Sequence, residues 1–300
     1  MAESDEPWTE KPPRLDVGVV GTGKAGSVLG AALKRAGHNV RACTAVSDLS
    51  KLRAESLLPG VPVTSIENAV KDRDLILLTV PDDHLSQVVN GLAATHAVSP
   101  GTFVVHASGR YGIEILHSLT DQGCLPLALH PVMTFTGTSI DLNRLSACPF
   151  GITTVHTLRP VAETLVVEIG GEPIWVPEEN RGLYHAALTF GANNLMTLVT
   201  QTTELLEAAG ITNPESLVAP LLGASLDNAL RNGDAAITGP VARGDAGTVR
   251  EHLRVLANFD PAVSQAYRAM ARLTAIRALA SGTLQPQLAE ELLIVLADES

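Results

Sequence analysis

The sequence predicts an α/β domain built on a parallel sheet, followed by an all-helical domain. Short β-branched runs alternate with helical stretches from Leu15 to Pro177, and every stretch after Pro177 repeats its apolar residues at helical spacing. The length of 300 residues fits two domains at ~150 residues each. With 45% hydrophobic and 18% charged residues, the chain has enough apolar material to bury a sizeable core.

LDVGVVGTG, from Leu15, reads as a strand running into glycines, and KAGSVLGAALKRAG as a helix that Gly37 ends. NVRACTAV is the second strand. A loop around Pro59 and Pro62 leads to a short helix in IENAVKDRD. LILLTV, apolar throughout and bounded by Asp74 and Pro81, suits a central strand covered on both faces. HLSQVVNGLAATH, TFVVHAS, IEILHSLTDQG and LALHPV continue the alternation, which implies βαβ units with right-handed crossovers. PFGITTV, LRPVAETLVVEIGG and EPIWVP add a strand, a helix and a strand at the sheet's edge. EENRGLYHAALTFGANNLMTLVTQTTELLEAAG is then one helix of about thirty residues. Further helices follow in PESLVAPLLGASLDNALRNG, GTVREHLRVLA, PAVSQAYRAMARLTAIRALASG and QLAEELLIVLA. The expected division is a tail over 1–14, an α/β domain over 15–177 and a helical domain over 178–300. No repeat period points to a solenoid.

The 21 Lys and Arg against 32 Asp and Glu give a net charge of -11, which repels polyanions, so no nucleic-acid partner is expected. Cys43, Cys124 and Cys148 are odd in number, far apart and without a CxxC pair. That pattern argues against a disulfide framework and against a zinc site, so no metal is expected and a reducing cytoplasm fits. Met1 to Arg14 is acidic and proline-rich, unlike a signal peptide, and reads as a disordered tail. Apolar runs such as Leu75 to Leu78 fall far short of the ~20 residues of a membrane helix, so no membrane partner is expected.

GTGKAG, Gly21 to Gly26, lies between the first strand and the first helix, the context a dinucleotide fingerprint needs. Gly21 makes the tight turn, Gly23 lets backbone approach a pyrophosphate, and Gly26 permits close helix packing; Thr22, Lys24 and Ala25 complete the cradle. A helix N-terminus there offers N–H donors to the phosphates. Gly18, Gly23 and Lys24 also match part of a nucleoside-triphosphate loop, but Ala25 stands where a magnesium-binding hydroxyl is required. Between Val40 and Ser47 no acid is present to bind a ribose 2′-OH. Arg41, Thr44, Ser47, Lys51 and Arg53 suit a 2′-phosphate instead, so the expected cofactor is NADP, with Ser47 and Arg53 at that phosphate.

Ligands of an open parallel sheet bind beyond the carboxyl ends of its strands. Val80, Pro81 and Asp82 should border the cofactor there. Ser108 can present its hydroxyl to the nicotinamide or substrate. His130 can donate a proton near neutral pH, where imidazole titrates. His106 shares a strand face with Ser108, and its role is open. His185, Thr189 and Asn193 form a polar stripe at i, i+4, i+8 on the long helix, a buried line that calls for partners. Arg243, in a Gly-Pro-Gly loop, is a bidentate carboxylate donor, while Asp245 fits a helix N-cap.

With GTGKAG, TVPDD, HASG, ALHPVMTF, YHAALTFGANN and TGPVARGD in this order, the chain resembles the bacterial family that joins a Rossmann-like NADP-oxidoreductase domain to a helical DUF2520 domain. The resemblance covers nearly everything from Asp16 onward. It implies a Rossmann dinucleotide-binding domain and a C-terminal domain like that of 6-phosphogluconate dehydrogenase, in a superfamily with ketopantoate reductases, pyrroline-5-carboxylate reductases and prephenate dehydrogenases. Ser108 and His130 stand where prephenate dehydrogenases have a Ser and a His followed by proline. His185 falls near the catalytic lysine of ketopantoate reductases, and Asn193 near their asparagine; the lysine itself is absent. The resemblance thus implies an NADP-dependent reductase of a small carbonyl substrate. A 2-oxo acid such as ketopantoate comes first, which would place the chain in pantothenate biosynthesis. Ser108, His130, His185, Asn193 and Arg243 would be its catalytic set. An imine reductase, a prephenate-type dehydrogenase and a non-catalytic NADP-binding sensor or interaction protein are the alternatives, and the apolar helices fit either a homodimer or an internal core of the same domain.

Overall fold

The computed structural model describes residues 14–297. The expected tail lies outside them except for Arg14, whose guanidinium donates to Glu168 Oε1 at 2.8 Å.

The chain lays down β1 (Asp16–Val20), α1 (Lys24–Arg35), β2 (Asn39–Cys43), α2 (Asp48–Leu57), α3 (Ile66–Val70), β3 (Leu75–Leu78) and α4 (Asp82–Ala94). It continues with β4 (Phe103–His106), α5 (His117–Thr120), β5 (Leu125–Pro131), α6 (Ile140–Arg144), β6 (Pro149–Thr153), α7 (Arg159–Glu168) and β7 (Glu172–Trp175). One seven-stranded sheet results, in the order β2-β1-β3-β4-β5-β6-β7. From β2 to β5 all pairs are parallel, whereas β6 runs antiparallel to β5 and β7 parallel to β6. The wholly parallel sheet expected from the alternation thus ends at β5. Only the short α6 lies between β5 and β6, too little for the crossover helix that a parallel pair requires.

Strand β3 shows why its sequence is apolar throughout. Leu75 and Leu77 join the layer of α1, α2 and α7 with Val28, Leu33, Leu57 and Leu165. Ile76 and Leu78 join the layer of α4 and α5 with Leu85, Val89 and Leu119. Alternate side chains point to opposite faces, and both faces are covered by helices. Register then aligns the strand ends: Val20 pairs with Leu78, Leu78 with His106, and His106 with Ala128. The chain therefore leaves β1, β3, β4 and β5 on one edge, where the candidate site lies.

Two helices escape the periodicity. In α2 only Ser50, Ala54 and Leu57 are buried, and Leu49 and Leu52 face solvent, so no apolar stripe marks it. Ser47 starts it as N-cap, accepting from Ser50 N at 3.2 Å. Similarly, α6 is five residues long and its buried residue is Asp141.

Helix α8 (Arg181–Ala208) carries the boundary between two compact units, one ending at Ala192 and the other beginning at Asn193. The second unit also holds α9 (Pro214–Asn232), α10 (Pro240–Arg243), α11 (Ala246–Phe259), α12 (Pro261–Ala280) and α13 (Pro286–Ala297). Its core joins Val249 and Leu253 of α11, Ala271, Ala275 and Ala278 of α12, and Leu292 and Leu296 of α13. The alanines let these helices approach closely. No described helix is long and apolar enough to cross a membrane.

Candidate functional site

The glycine turn is built by local necessity. Gly21 has φ +98°, which an L side chain rarely adopts. A Cβ on Gly26 would collide with the Gly21 carbonyl oxygen and with Thr79 Oγ1. A Cβ on Gly23 would meet nothing within 4 Å, so this peptide faces open space. Hydrogen bonds pin the turn: Gly21 N donates to Thr44 Oγ1 at 2.9 Å, and Thr79 Oγ1 to the Gly21 carbonyl at 2.6 Å. Buried Thr22 shares its hydroxyl proton between the carbonyls of Thr44 (2.9 Å) and Ser50 (3.1 Å), so its side chain braces the turn from behind.

The first turn of α1 has no side-chain cap and no acid, and Lys24 adds a cation at its positive end. By contrast, Asp245 caps α11 and Asp260 caps α12. An uncapped N-terminus with a lysine and an open glycine fits the pyrophosphate of a dinucleotide. Of the basic residues placed near the second strand, Arg41 pairs with Asp16 at 3.0 Å and Lys51 with Asp48 at 3.2 Å. Thr44 is engaged by Gly21, and Ser47 caps α2. Arg53 instead reaches the glycine turn: a Cβ on Gly137 would lie 2.7 Å from Arg53 Nε and 3.1 Å from Lys24 Cγ. Buried Asp141 holds this third segment, accepting from Thr136 N and Gly137 N, each at 2.7 Å. Burial alone would raise the Asp141 pKa, but these hydrogen bonds outweigh it and hold the carboxyl below its usual value. Val80 is half-buried, Pro81 is the N-cap of α4, and Asp82 opens its first turn beside Asp83.

Beyond the ends of β4 and β5 a polar cluster forms. His106 is fully buried, with Nε2 2.8 Å from the Gly112 carbonyl and Nδ1 accepting from Ser108 N at 3.2 Å. Both ring nitrogens are spent on folding the 108–112 loop back over the strand, which settles the role of His106 as structural. Ser108 Oγ accepts from Arg110 N (3.2 Å) and Tyr111 N (3.3 Å), leaving its own proton to donate. His130 Nδ1 lies 2.8 Å from Tyr184 Oη. The other ring nitrogen, Nε2, is on the side of Gly109 and His185: a Cβ on Gly109 would lie 2.8 Å from it and 2.7 Å from His185 Cδ2. The rings of His130 and His185 meet edge to face, with centroids 6.3 Å apart.

Arg181 organises this cluster from within. Only 2% exposed, it donates from Nε to Thr153 Oγ1 (2.7 Å) and from Nη2 to the carbonyls of Gly151 (2.9 Å) and Ala128 (3.1 Å). Its Nη1 lies 3.5 Å from the Ser108 carbonyl. None of these acceptors is a carboxylate. Nearby, Glu178 accepts from Ile113 N at 2.7 Å and Glu114 N at 3.2 Å, fixing the far side of the loop. Burial first, then the charge of Arg181 and the neighbouring His185 and His106, push the His130 pKa down to about 4. The ring is thus neutral at pH 7, contrary to the near-neutral titration expected from an unperturbed imidazole.

The first unit therefore brings together Ser108, His130 and His185, and separately Gly21 to Gly26 with Arg53. Thr189 and Asn193 are exposed, not members of a buried stripe, since Arg181 is the one described residue of α8 that is buried. Asn193 and Arg243 belong to the second unit, and Arg243 is exposed at the end of α10. Asp245 caps α11, accepting from Thr248 N at 3.0 Å. Arg181 and Tyr184 escaped the sequence reading. Their signal was an Arg and a Tyr at i, i+3 opening the long helix, with His185 next to them.

The family model of a Rossmann-like domain matches residues 1–131, and that of DUF2520, a domain of unknown function, matches residues 148–274. No curated protein matches the chain. Among solved structures, a candidate NADP oxidoreductase of Bacteroides fragilis is similar with a TM-score of 0.74 and 19% identity, over 87% of this chain and 98% of that one. A protein of Thermotoga maritima is similar with a TM-score of 0.66 and 23% identity, over 88% and 99%. Plasmodium falciparum pyrroline carboxylate reductase, solved with NADP bound, gives 0.53 and 13%, over 88% and 98%. Likeness at these identities is one of fold. Sheet order, glycine turn and helical second part agree with the two family matches: the chain carries a Rossmann-like domain followed by a DUF2520 domain.

Proposed function

We propose that this chain is an NADP-dependent oxidoreductase that reduces a small carbonyl compound, with a 2-oxo acid such as ketopantoate first among its substrates. The observation that carries the reading is the uncapped N-terminus of α1 beneath open Gly23, on the same sheet edge as Ser108, His130 and His185. Gly21 to Gly26 would hold the pyrophosphate, and Lys24 and Arg53 supply positive charge around it. Val80, Pro81 and Asp82 border the same edge. The missing acid after β2 and the freedom of Arg53 from any described acidic partner favour a 2′-phosphate over a bare ribose. The Bacteroides and Plasmodium neighbours, described by their NADP chemistry, support the same choice. When bound, the reduced cofactor supplies hydride.

The protein's own part is to hold the carbonyl and stabilise the charge that grows on its oxygen. Ser108 keeps a hydroxyl proton for that oxygen, and His130 and His185 lie beside it, packed against Gly109. Asn193 and Arg243, exposed in the second unit, suit a carboxylate by their own chemistry. We assign the apolar faces of α8 and α9 to a homodimer.

Fluorescence titration with NADPH and NADH tests the cofactor, and nicotinamide absorbance with a panel of 2-oxo acids tests the reaction. Tighter NADPH binding, by roughly tenfold or more, with turnover of one oxo acid is the expected result. NADPH binding without turnover of any oxo acid passes the reading to an imine or a sensor role; no binding overturns it.

A further inference from the structure

Behind the proposed carbonyl site stands a pair to which the reading above gives no task. Tyr184 Oη is 2.8 Å from His130 Nδ1, the ring nitrogen on the side away from Gly109. Such a pair has two arrangements. Either the phenol donates to Nδ1, which leaves the imidazole proton on Nε2, or Nδ1–H donates to Oη, which leaves Nε2 a bare lone pair.

The surroundings choose between them. A phenol has one proton to place, and the described residues offer that proton no acceptor except His130 Nδ1. Were Nδ1 the donor, the Tyr184 hydroxyl proton would have no acceptor among the described residues, and its oxygen is packed against Gly151. The Arg181 guanidinium lies 5.6 Å from the centre of the Tyr184 ring; burial raises the Tyr184 pKa and the Arg181 charge offsets this only in part, so the phenol keeps its proton at neutral pH. Arg181 is itself locked by four acceptors drawn from Ser108, Ala128, Gly151 and Thr153, so this charge cannot turn away.

We infer that Tyr184, backed by the buried Arg181, is a positioning residue that fixes His130 as the neutral Nε2–H tautomer and so makes it a hydrogen-bond donor toward Gly109 and His185. The inference rests on the reductase reading for what is bound there, and it narrows that reading. A neutral N–H donor beside the Ser108 hydroxyl selects ligands that present an acceptor oxygen, a carbonyl or carboxylate. It gives no lone pair to a ligand that arrives with a hydroxyl donor. The charged and titratable groups facing His130 are Arg181, Tyr184 and His185 from α8 and His106 from β4. No carboxylate is among them, so nothing supports an imidazolium; in keeping with this, the His130 pKa is held down to about 4.

Histidine-ring 15N NMR of the full-length chain, assigned by the resonance lost in His130→Asn, tests this directly. The expected spectrum shows His130 protonated at Nε2 and bare at Nδ1, unchanged between pH 8 and about 5.5. In Tyr184→Phe the ratio of Nε2–H to Nδ1–H forms falls roughly tenfold, the equivalent of one ordinary hydrogen bond. A protonated Nδ1 in the wild type, an imidazolium at pH 7, or an unchanged ratio in Tyr184→Phe would each overturn the inference. The wild-type spectrum decides the tautomer even if the variant folds poorly. The outcome is separable from the proposed function: failure to bind NADPH sinks the reductase and leaves the tautomer standing, whereas a protonated Nδ1 in an active reductase does the reverse.

Discussion

His106 and His130 each sit where burial opposes a positive charge, and both have pKa values pushed down to about 4. In the unfolded chain these imidazoles titrate near 6.5. As pH falls below 6.5 the unfolded chain takes up protons that the folded one refuses, so stability is full above that value and declines toward pH 4. The loss is up to about 3 kcal/mol for each ring. Urea unfolding from pH 8 to 4.5 should show a flat midpoint down to roughly pH 6.5 and a steady fall below it; a midpoint flat to pH 5 contradicts the burial account. Gly109 gives a second test at this scale. A methyl there would lie 2.7 Å from His185 Cδ2 and 2.8 Å from His130 Nε2, so Gly109→Ala must displace both rings. Turnover should fall at least about tenfold while urea stability changes by no more than about 2 kcal/mol, since side chains can give way and backbone is not struck. His130 and Ser108 were legible because a strand end is a place that can be read along the chain. Arg181 was not, since its acceptors are 28 to 73 positions away and only the folded sheet gathers them.

Elements were legible where burial writes a pattern and silent where it does not. LILL of β3 reads as two-sided because helices cover both faces. Helix α2 exposes two leucines and owes its start to one serine cap, so periodicity carried no sign of it. The reversal of β6 was equally silent, because strand direction depends on the length of the crossover and not on the strand's own residues. The segment between β5 and β6 is held by Asp141, whose carboxylate takes two backbone N–H groups and the Thr136 hydroxyl. Asp141→Ala would leave those donors unpaired in a buried place and should cost about 2 to 4 kcal/mol in urea unfolding. Because Gly137 packs on Lys24 and Arg53, the same change should also weaken NADPH binding several-fold. Loss of stability with NADPH affinity intact would separate this segment from the cofactor cradle.

For the molecule as a whole, the long helices raise a question of partnership. Arg181 is the one described residue of α8 that is buried, whereas most helical stability in proteins comes from packing of an apolar face. In the second unit, Met196 of α8 is 67% exposed, and Leu230 of α9 is 79% exposed. Leu198, Leu217, Leu221 and Leu226 are exposed on the same two helices. Under the homodimer proposed above, a second copy of the chain covers this apolar surface. The opposing force is charge, because each copy carries a net -11 and two copies repel at long range. Salt screens that repulsion without weakening apolar contact. Sedimentation should therefore find a dimer that tightens from low to physiological ionic strength. The double change Met196→Glu with Leu221→Glu, which sets charges into the apolar face, should yield a monomer whose His130 tautomer is unchanged. A wild-type chain that stays monomeric at every salt concentration would instead leave these faces to another partner.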